Sequence, residues 1–161
     1  MENSGTIWGN TKSLLVFYVF KNHEDFQDFR VSLDEVLNKS AVKRLKVIIL
    51  INDPKENVLK HSLFSYLLNK DISLIGNKIK KSAKGEGQED LEIIIGSHFD
   101  LFLCFGLPSK KVMKWLGKSK ATKRIGVNTS DSDFFDVNLQ SSGATTDKIV
   151  NFTVETLNKI I

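Results

Sequence analysis

The sequence predicts an α/β domain built on a mostly parallel sheet, and three observations carry that reading. Residues 13–20, 44–51 and 99–105 are continuous apolar runs of strand length, without the alternation of a strand that has one wet face. Runs of that kind belong to strands covered on both sides. Between them, apolar residues recur at helical spacing, as in Phe26, Phe29, Leu33, Val36 and Leu37, which is the pattern of an amphipathic helix. The 161 residues amount to about one domain. A composition 41% hydrophobic and 26% charged excludes general disorder.

Taken in order, residues 1–12 read as a polar arm containing Trp8. That tryptophan either pins the arm to the body or stands exposed as a partner contact, a role for which tryptophan is over-represented. Residues 13–20 form the first strand. Asn22 offers a helix cap and Asp25 an acid in the first turn of a helix of about four turns. Residues 44–51 form the second strand, which stops at Asn52-Asp53-Pro54. There Asp53 caps the next helix and Pro54 takes its first position, with Val58, Leu59, Leu63, Tyr66 and Leu67 as the apolar stripe. Residues 71–75 are a short apolar segment. Residues 76–88, with Lys78, Lys80, Lys81, Lys84, Gly85 and Gly87, read as a loop. Residues 91–95 fit either a strand or one to two helical turns.

Residues 99–105 form the third strong strand, ended by Gly106 and Pro108. A helix is expected over 109–118, with Val112, Trp115 and Leu116 facing inward. Short strands follow at 123–128 and 134–139. Thr145 or Thr146 caps a last helix, with Ile149, Val150, Phe152, Val154, Leu157 and Ile160 as its apolar positions. Strands alternating with helices imply right-handed crossovers and a parallel sheet. The expected architecture is therefore a single three-layer Rossmann-like domain over residues 13–161, with five or six strands flanked by helices.

Several functional classes are excluded or weakened. One cysteine, Cys104, cannot form an intramolecular disulfide, and with His23, His61 and His98 scattered it supplies no structural zinc set. No metal or cofactor is expected. No apolar run approaches the ~20 residues of a membrane span. The arm also lacks the basic and then apolar organisation of a secretory leader, so a cytoplasmic location is expected. Cys104 lies inside Leu101-Phe-Leu-Cys-Phe105 and reads as an inert core thiol. The acids Asp25 and Asp28, or Asp131, Asp133 and Asp136, lack the spacing of a calcium loop. No catalytic residue is assigned.

Open α/β sheets bind ligands outside the carboxyl ends of their strands. The candidates there are Asn22 and His23 after the first strand and Asn52 and Asp53 after the second. Gly106 and Ser109 follow the 99–105 strand, and Asn128, Thr129 and Ser130 follow the 123–127 run. Such residues suit a phosphate or a ribose, and turns and caps select the same types for backbone reasons. Lys21-Asn22-His23 stands where a Gly-rich phosphate turn would, so neither a dinucleotide fingerprint nor a P-loop is present.

Charge is the strongest asymmetry. Residues 101–130 hold Lys110, Lys111, Lys114, Lys118, Lys120, Lys123 and Arg124 and no acid, in a chain of net charge +4. Lys110, Lys114 and Lys118 fall at i, i+4 and i+8, with Lys111 beside them, so one helical face becomes a lysine stripe. The stripe is either a solvated face or an anion surface for an acidic macromolecule, reached through the 110–124 segment.

Two resemblances accompany these readings. Phe99-Asp-Leu-Phe-Leu-Cys-Phe-Gly106, a helix and then Ala121-Thr-Lys-Arg-Ile-Gly126 resemble the N-terminal, acceptor-side half of heptosyltransferase-like glycosyltransferases. In those enzymes an aspartate-started strand and a helix precede a short Arg-Ile-Gly strand. Their Gly-Asp turn after the first strand supplies the catalytic acid, and Lys21-Asn22-His23 does not match it. The resemblance therefore implies a degenerate nucleotide or nucleotide-sugar binder. Over residues 47–161 the chain also resembles a small family of bacterial α/β proteins of unassigned function. The matching features are Phe99-Asp-Leu101, Arg124-Ile-Gly126, Phe135-Asp-Val137 and a closing helix ending Leu157-Asn-Lys159. That resemblance implies a fold and no activity. A non-catalytic binding or accessory module is the first expectation.

Overall fold

A computed structural model describes residues 5–50, 72–75, 91–129, 134–140 and 146–160. Its strands are β1 (Ser13–Val19), β2 (Arg44–Leu50), β3 (Ile72–Ile75), β4 (His98–Phe105), β5 (Lys120–Val127) and β6 (Val137–Leu139). The helices are α1 (His23–Asn38), α2 (Leu91–Gly96), α3 (Lys110–Leu116) and α4 (Thr146–Leu157). The six strands form one sheet in the order β3-β2-β1-β4-β5-β6, and each neighbouring pair is parallel. The chain winds outward from β1 in one direction, then resumes at β4 and winds outward in the other. This is the three-layer Rossmann-like arrangement that the apolar runs predict, with its switch point between β1 and β4.

The continuous apolar runs are explained by two cores. On one face, Leu14, Val16 and Tyr18 of β1, Val47 and Ile49 of β2, Leu101 and Leu103 of β4 and Ile125 of β5 pack with α1 and α4. On the other, Leu15, Phe17, Ile48, Phe102 and Cys104 pack with Ile94 and Ile95 of α2 and Val112, Trp115 and Leu116 of α3. Successive residues of a strand point to opposite faces, so a strand with both faces covered must be apolar at every position.

Near its start β4 breaks that alternation. Phe99 and Leu101 are two residues apart yet lie in opposite cores. The pairing with β5 runs from Phe99↔Ala121 directly to Leu101↔Lys123, so the strand turns over at Asp100.

Trp8 is buried at 3% exposure in the α1–α4 core. The Ile7 amide donates to the Ile160 carbonyl at 2.8 Å and the Trp8 amide to the Leu157 carbonyl at 3.2 Å. The arm is therefore pinned to the end of α4, and Trp8 is not an exposed contact.

Residues 91–95 resolve as helix. The helix expected over 109–118 stops at Leu116, capped by Gly117, whose amide donates to the Met113 carbonyl. Strand β5 begins at Lys120, three residues before the expected start, and β6 is confined to 137–139 because Phe134 and Phe135 turn into the α2–α3 core. The expected helix after Pro54, the loop at 76–88, His61, Asn52, Asp53, Ser130, Asp131 and Asp133 lie outside the described residues.

Gly126 sits where β5, β6 and the turn between them converge. A Cβ there would stand 2.3 Å from Thr129 Oγ1, 2.7 Å from Asn138 Oδ1 and 2.9 Å from Phe135 Cδ2. Gly126→Ala is expected to destabilise the protein by about 1–3 kcal/mol, as overpacking does. Gly96→Ala, whose Cβ meets nothing within 4 Å, should be neutral or stabilising by up to about 1 kcal/mol. Equilibrium urea unfolding of the two variants distinguishes the sites; equal effects would contradict the packing described around Gly126.

Candidate functional site

At the carboxyl ends of the strands, the described residues among those expected to hold a ligand are engaged in structure; Asn52, Asp53 and Ser130 lie outside the described residues. Asn22 caps α1, its side chain accepting from the Asp25 amide at 2.7 Å. His23 is exposed and packs edge-on against Phe20. Glu24 and Asp25 occupy the first turn of α1, where carboxylates answer the positive end of the helix and repel an incoming phosphate. Tyr18 donates its hydroxyl to Asp25 Oδ2. Burial, reinforced by that bond and by the charges of Asp25 and Asp28, pushes the phenol far above its ordinary range. It stays protonated, fastening α1 to β1.

Gly106 has φ 104°, and a Cβ there would stand 2.9 Å from Val19 Cβ. It is a glycine because the end of β4 crowds β1. Asn128 takes a left-handed φ of 54° and its amide donates to the Leu139 carbonyl at 2.8 Å. Thr129 is buried, donating to Asn138 Oδ1 at 2.9 Å. Ser109 caps α3, accepting from the Val112 amide at 3.3 Å. Tyr18, Lys21, Asp25, Gly106 and Asn128 line a crevice at the switch point of about 50 Å³, against roughly 300–1,000 Å³ for a drug-sized ligand. Cys104 is fully buried, and desolvation pushes its thiol well above the ordinary range, so it is no nucleophile. Among the described residues, no group of three or more His, Cys, Asp and Glu could hold a metal ion.

The lysine face is open. Lys110, Lys111 and Lys114 are exposed on α3, while Val112, Trp115 and Leu116 are buried beneath them. Lys118 is exposed just past the helix and Lys120 and Lys123 on β5. Arg124 leaves the set. Its Nη2 donates to the Ser119 carbonyl at 2.8 Å, its guanidinium covers the Phe134 ring at 4.8 Å, and its amide donates to Asp136 Oδ2 at 2.8 Å.

α3 runs towards the rim where every parallel strand begins, and that rim holds cations the sequence reading did not join to the stripe. The Lys12 carbonyl accepts from the amides of Lys43 at 2.7 Å and Arg44 at 3.1 Å. Asp100 Oδ2 accepts from the amides of Lys12 at 2.9 Å and Ser13 at 3.1 Å, and Ser13 Oγ accepts from the Asp100 amide at 2.9 Å. Arg44 Nη1 reaches the His98 carbonyl at 3.2 Å, and its guanidinium lies over the Phe99 ring at 4.6 Å. His98 Nε2 meets Thr122 Oγ1 at 2.8 Å. Beside this knot, Asn10, Thr11, Asp100, Thr122 and Lys123 line a groove of about 270 Å³. The signal that joins the remaining cations is present in the chain: Lys12, Lys43 and Arg44 each stand at or beside the start of a strand, and a parallel sheet gathers all starts at one rim.

No protein-family model, no curated protein and no solved structure matches the chain.

Burial works to raise the Asp100 carboxyl, but the hydrogen bonds from Lys12 and Ser13 and the charge of His98 outweigh it and hold the group below its ordinary value of 3.8. A carboxylate lowered in the folded state stabilises above its unfolded pKa, and that stability disappears as pH falls through the folded pKa. Asp100→Asn is expected to cost about 1 kcal/mol at pH 7, the difference between charged and neutral hydrogen bonds. The gap between parent and variant should close as pH drops below the usual carboxylate range. Denaturation series at several pH values measure it, and a gap that widens in acid would contradict the assignment.

Proposed function

We propose that this chain is a non-catalytic binding module that takes an acidic macromolecule on its lysine face. One observation carries the reading: Lys110, Lys111 and Lys114 are held outward by a helix whose Val112, Trp115 and Leu116 are fixed in the core. The three lysines are exposed, and among the described residues none of them is ion-paired. Neighbouring like charges cost a helix stability, and acidic neighbours at helical spacing are absent from 107–119.

A degenerate nucleotide-sugar binder at the carboxyl rim is the weaker reading. The crevice there is about 50 Å³, and the first turn of α1 carries two acids. Among the described residues no helix is long and apolar enough to cross a membrane. The expected cytoplasmic location belongs with this proposal, as the compartment in which Cys104 stays reduced.

The experiment is binding to duplex DNA, RNA and anionic vesicles at about 50 mM salt, where charge contacts act over a longer range. Binding should weaken steeply with salt, with a log–log slope of about −0.9 per phosphate neutralised on B-DNA. The triple variant Lys110→Gln, Lys114→Gln and Lys118→Gln should flatten that slope by up to about 3 and leave the melting temperature within a few degrees. Failure of the parent protein to bind any of these polyanions would leave the lysines as a solubilising face.

A further inference from the structure

Building on the binding-module reading, we infer that the amino-terminal rim of the sheet, formed by Lys12, Lys43, Lys120 and Lys123 with Arg44 fixed among them, is a docking surface for the phosphate backbone of a duplex nucleic acid. The α3 stripe forms one flank of it.

The cations are brought together by the sheet itself. Lys12 and Lys43 are joined by one backbone hydrogen bond of 2.7 Å. Ser13 pairs with Arg44, and His98 with Lys120. Strands β2, β1, β4 and β5 are adjacent, so at roughly 4.8 Å per strand the rim spans about 14 Å. A duplex strand advances about 3.4 Å per phosphate along its axis, so the rim is long enough to meet more than one phosphate.

A structural account of these charges fails on two points. Lysines at helix C-termini complement the helix dipole, a position that Lys114 takes in the last turn of α3. Sheets carry only small net dipoles, so cations at strand starts have none to answer. The rim carboxylates, Asp100 and Asp136, offset part of this charge without forming an ion pair with it among the described residues. Asp100 Oδ2 takes the Lys12 and Ser13 amides and Asp136 Oδ2 the Arg124 amide. Among the described residues, none of Lys12, Lys43, Arg44, Lys120 and Lys123 is ion-paired. Like charges this close repel within a Debye length of about 8–10 Å, so the cluster is a cost to the free protein that a polyanion removes.

Two features favour a duplex over a single strand or a membrane. Single-strand binders stack bases on aromatic faces, whereas the rings here, Phe99 and Phe134, are already covered by Arg44 and Arg124. Surface helices that enter membranes add an apolar face to their basic one. Among the described residues, the large apolar side chains that are exposed are Val31, Ile93, Leu107 and Phe152, on three helices and beyond β4, not at strand starts.

The test compares the full chain with a rim variant (Lys12→Gln, Lys43→Gln, Lys120→Gln, Lys123→Gln) and with the α3 triple variant. Fluorescence anisotropy is read against a 20-base-pair DNA duplex, one strand of that duplex, and vesicles of 30% phosphatidylserine in phosphatidylcholine. The parent should bind the duplex in preference to the single strand and the vesicles. The rim variant should lose at least tenfold in duplex affinity at about 50 mM salt and flatten the salt slope by about 3–4. Its melting temperature should be unchanged or raised, since repulsion is relieved. If the rim variant binds as the parent does while the α3 variant is weakened, the rim is not the surface and the binding-module reading stands. Tighter binding to the single strand or to vesicles overturns the duplex assignment, and no binding by the parent to any probe overturns both readings.

Discussion

The structure depends on one constraint: six strands run parallel, and the central ones have both faces covered. Coverage forces the apolar runs, and parallel direction forces all strand starts to one rim and all ends to the other. At the starting rim, backbone groups that have passed the end of the ladder still need partners, since buried or half-buried main-chain groups are expensive to leave unpaired. Asp100 and the Lys12 carbonyl supply them, tying β1, β2 and β4 together at their first residues. The turnover of β4 at Asp100 belongs to the same knot, since its carboxylate reaches β1 there.

This division of labour inverts the usual one for the fold. Doubly wound sheets place ligands beyond the strand ends. Among the described residues, the part of that end between β1 and β4 carries a capped and acidic α1, the Tyr18–Asp25 bond and Gly106 pressed against Val19. The opposite rim carries polar main-chain knots, exposed cations and a groove. The fold alone names no function. The residues at its two ends point to charge recognition at the amino-terminal rim.

Much of the fold was legible because burial on two faces leaves a one-dimensional record. β1, β2 and β4 announce themselves as unbroken apolar runs. β5 starts earlier than its sequence suggests because Lys120 and Lys123 pair with β4 while their side chains remain in solvent, so hydropathy does not mark them. Residues 91–95 are ambiguous for a physical reason: three consecutive isoleucines suit a strand, and the decision for helix is tertiary, with Ile94 and Ile95 buried and Ile93 61% exposed. α3 stops early at Gly117. The lysine stripe was readable from helical spacing, but the rim cations are 111 residues apart in sequence at their extremes, Lys12 and Lys123. Only strand order brings them together. Asp100 carried no signal of its own, because its partners are backbone amides.

The central claim is that recognition occurs at the rim where the strands begin. The most direct measurement is an ¹⁵N–¹H spectrum of the chain titrated with a short DNA duplex at low salt. The account predicts shifts or broadening at the amides of Lys12, Lys43, Arg44, Lys118, Lys120 and Lys123, with Asn22, His23, Gly106 and Asn128 unmoved. Perturbations gathered at those last four residues, with the rim silent, would contradict it.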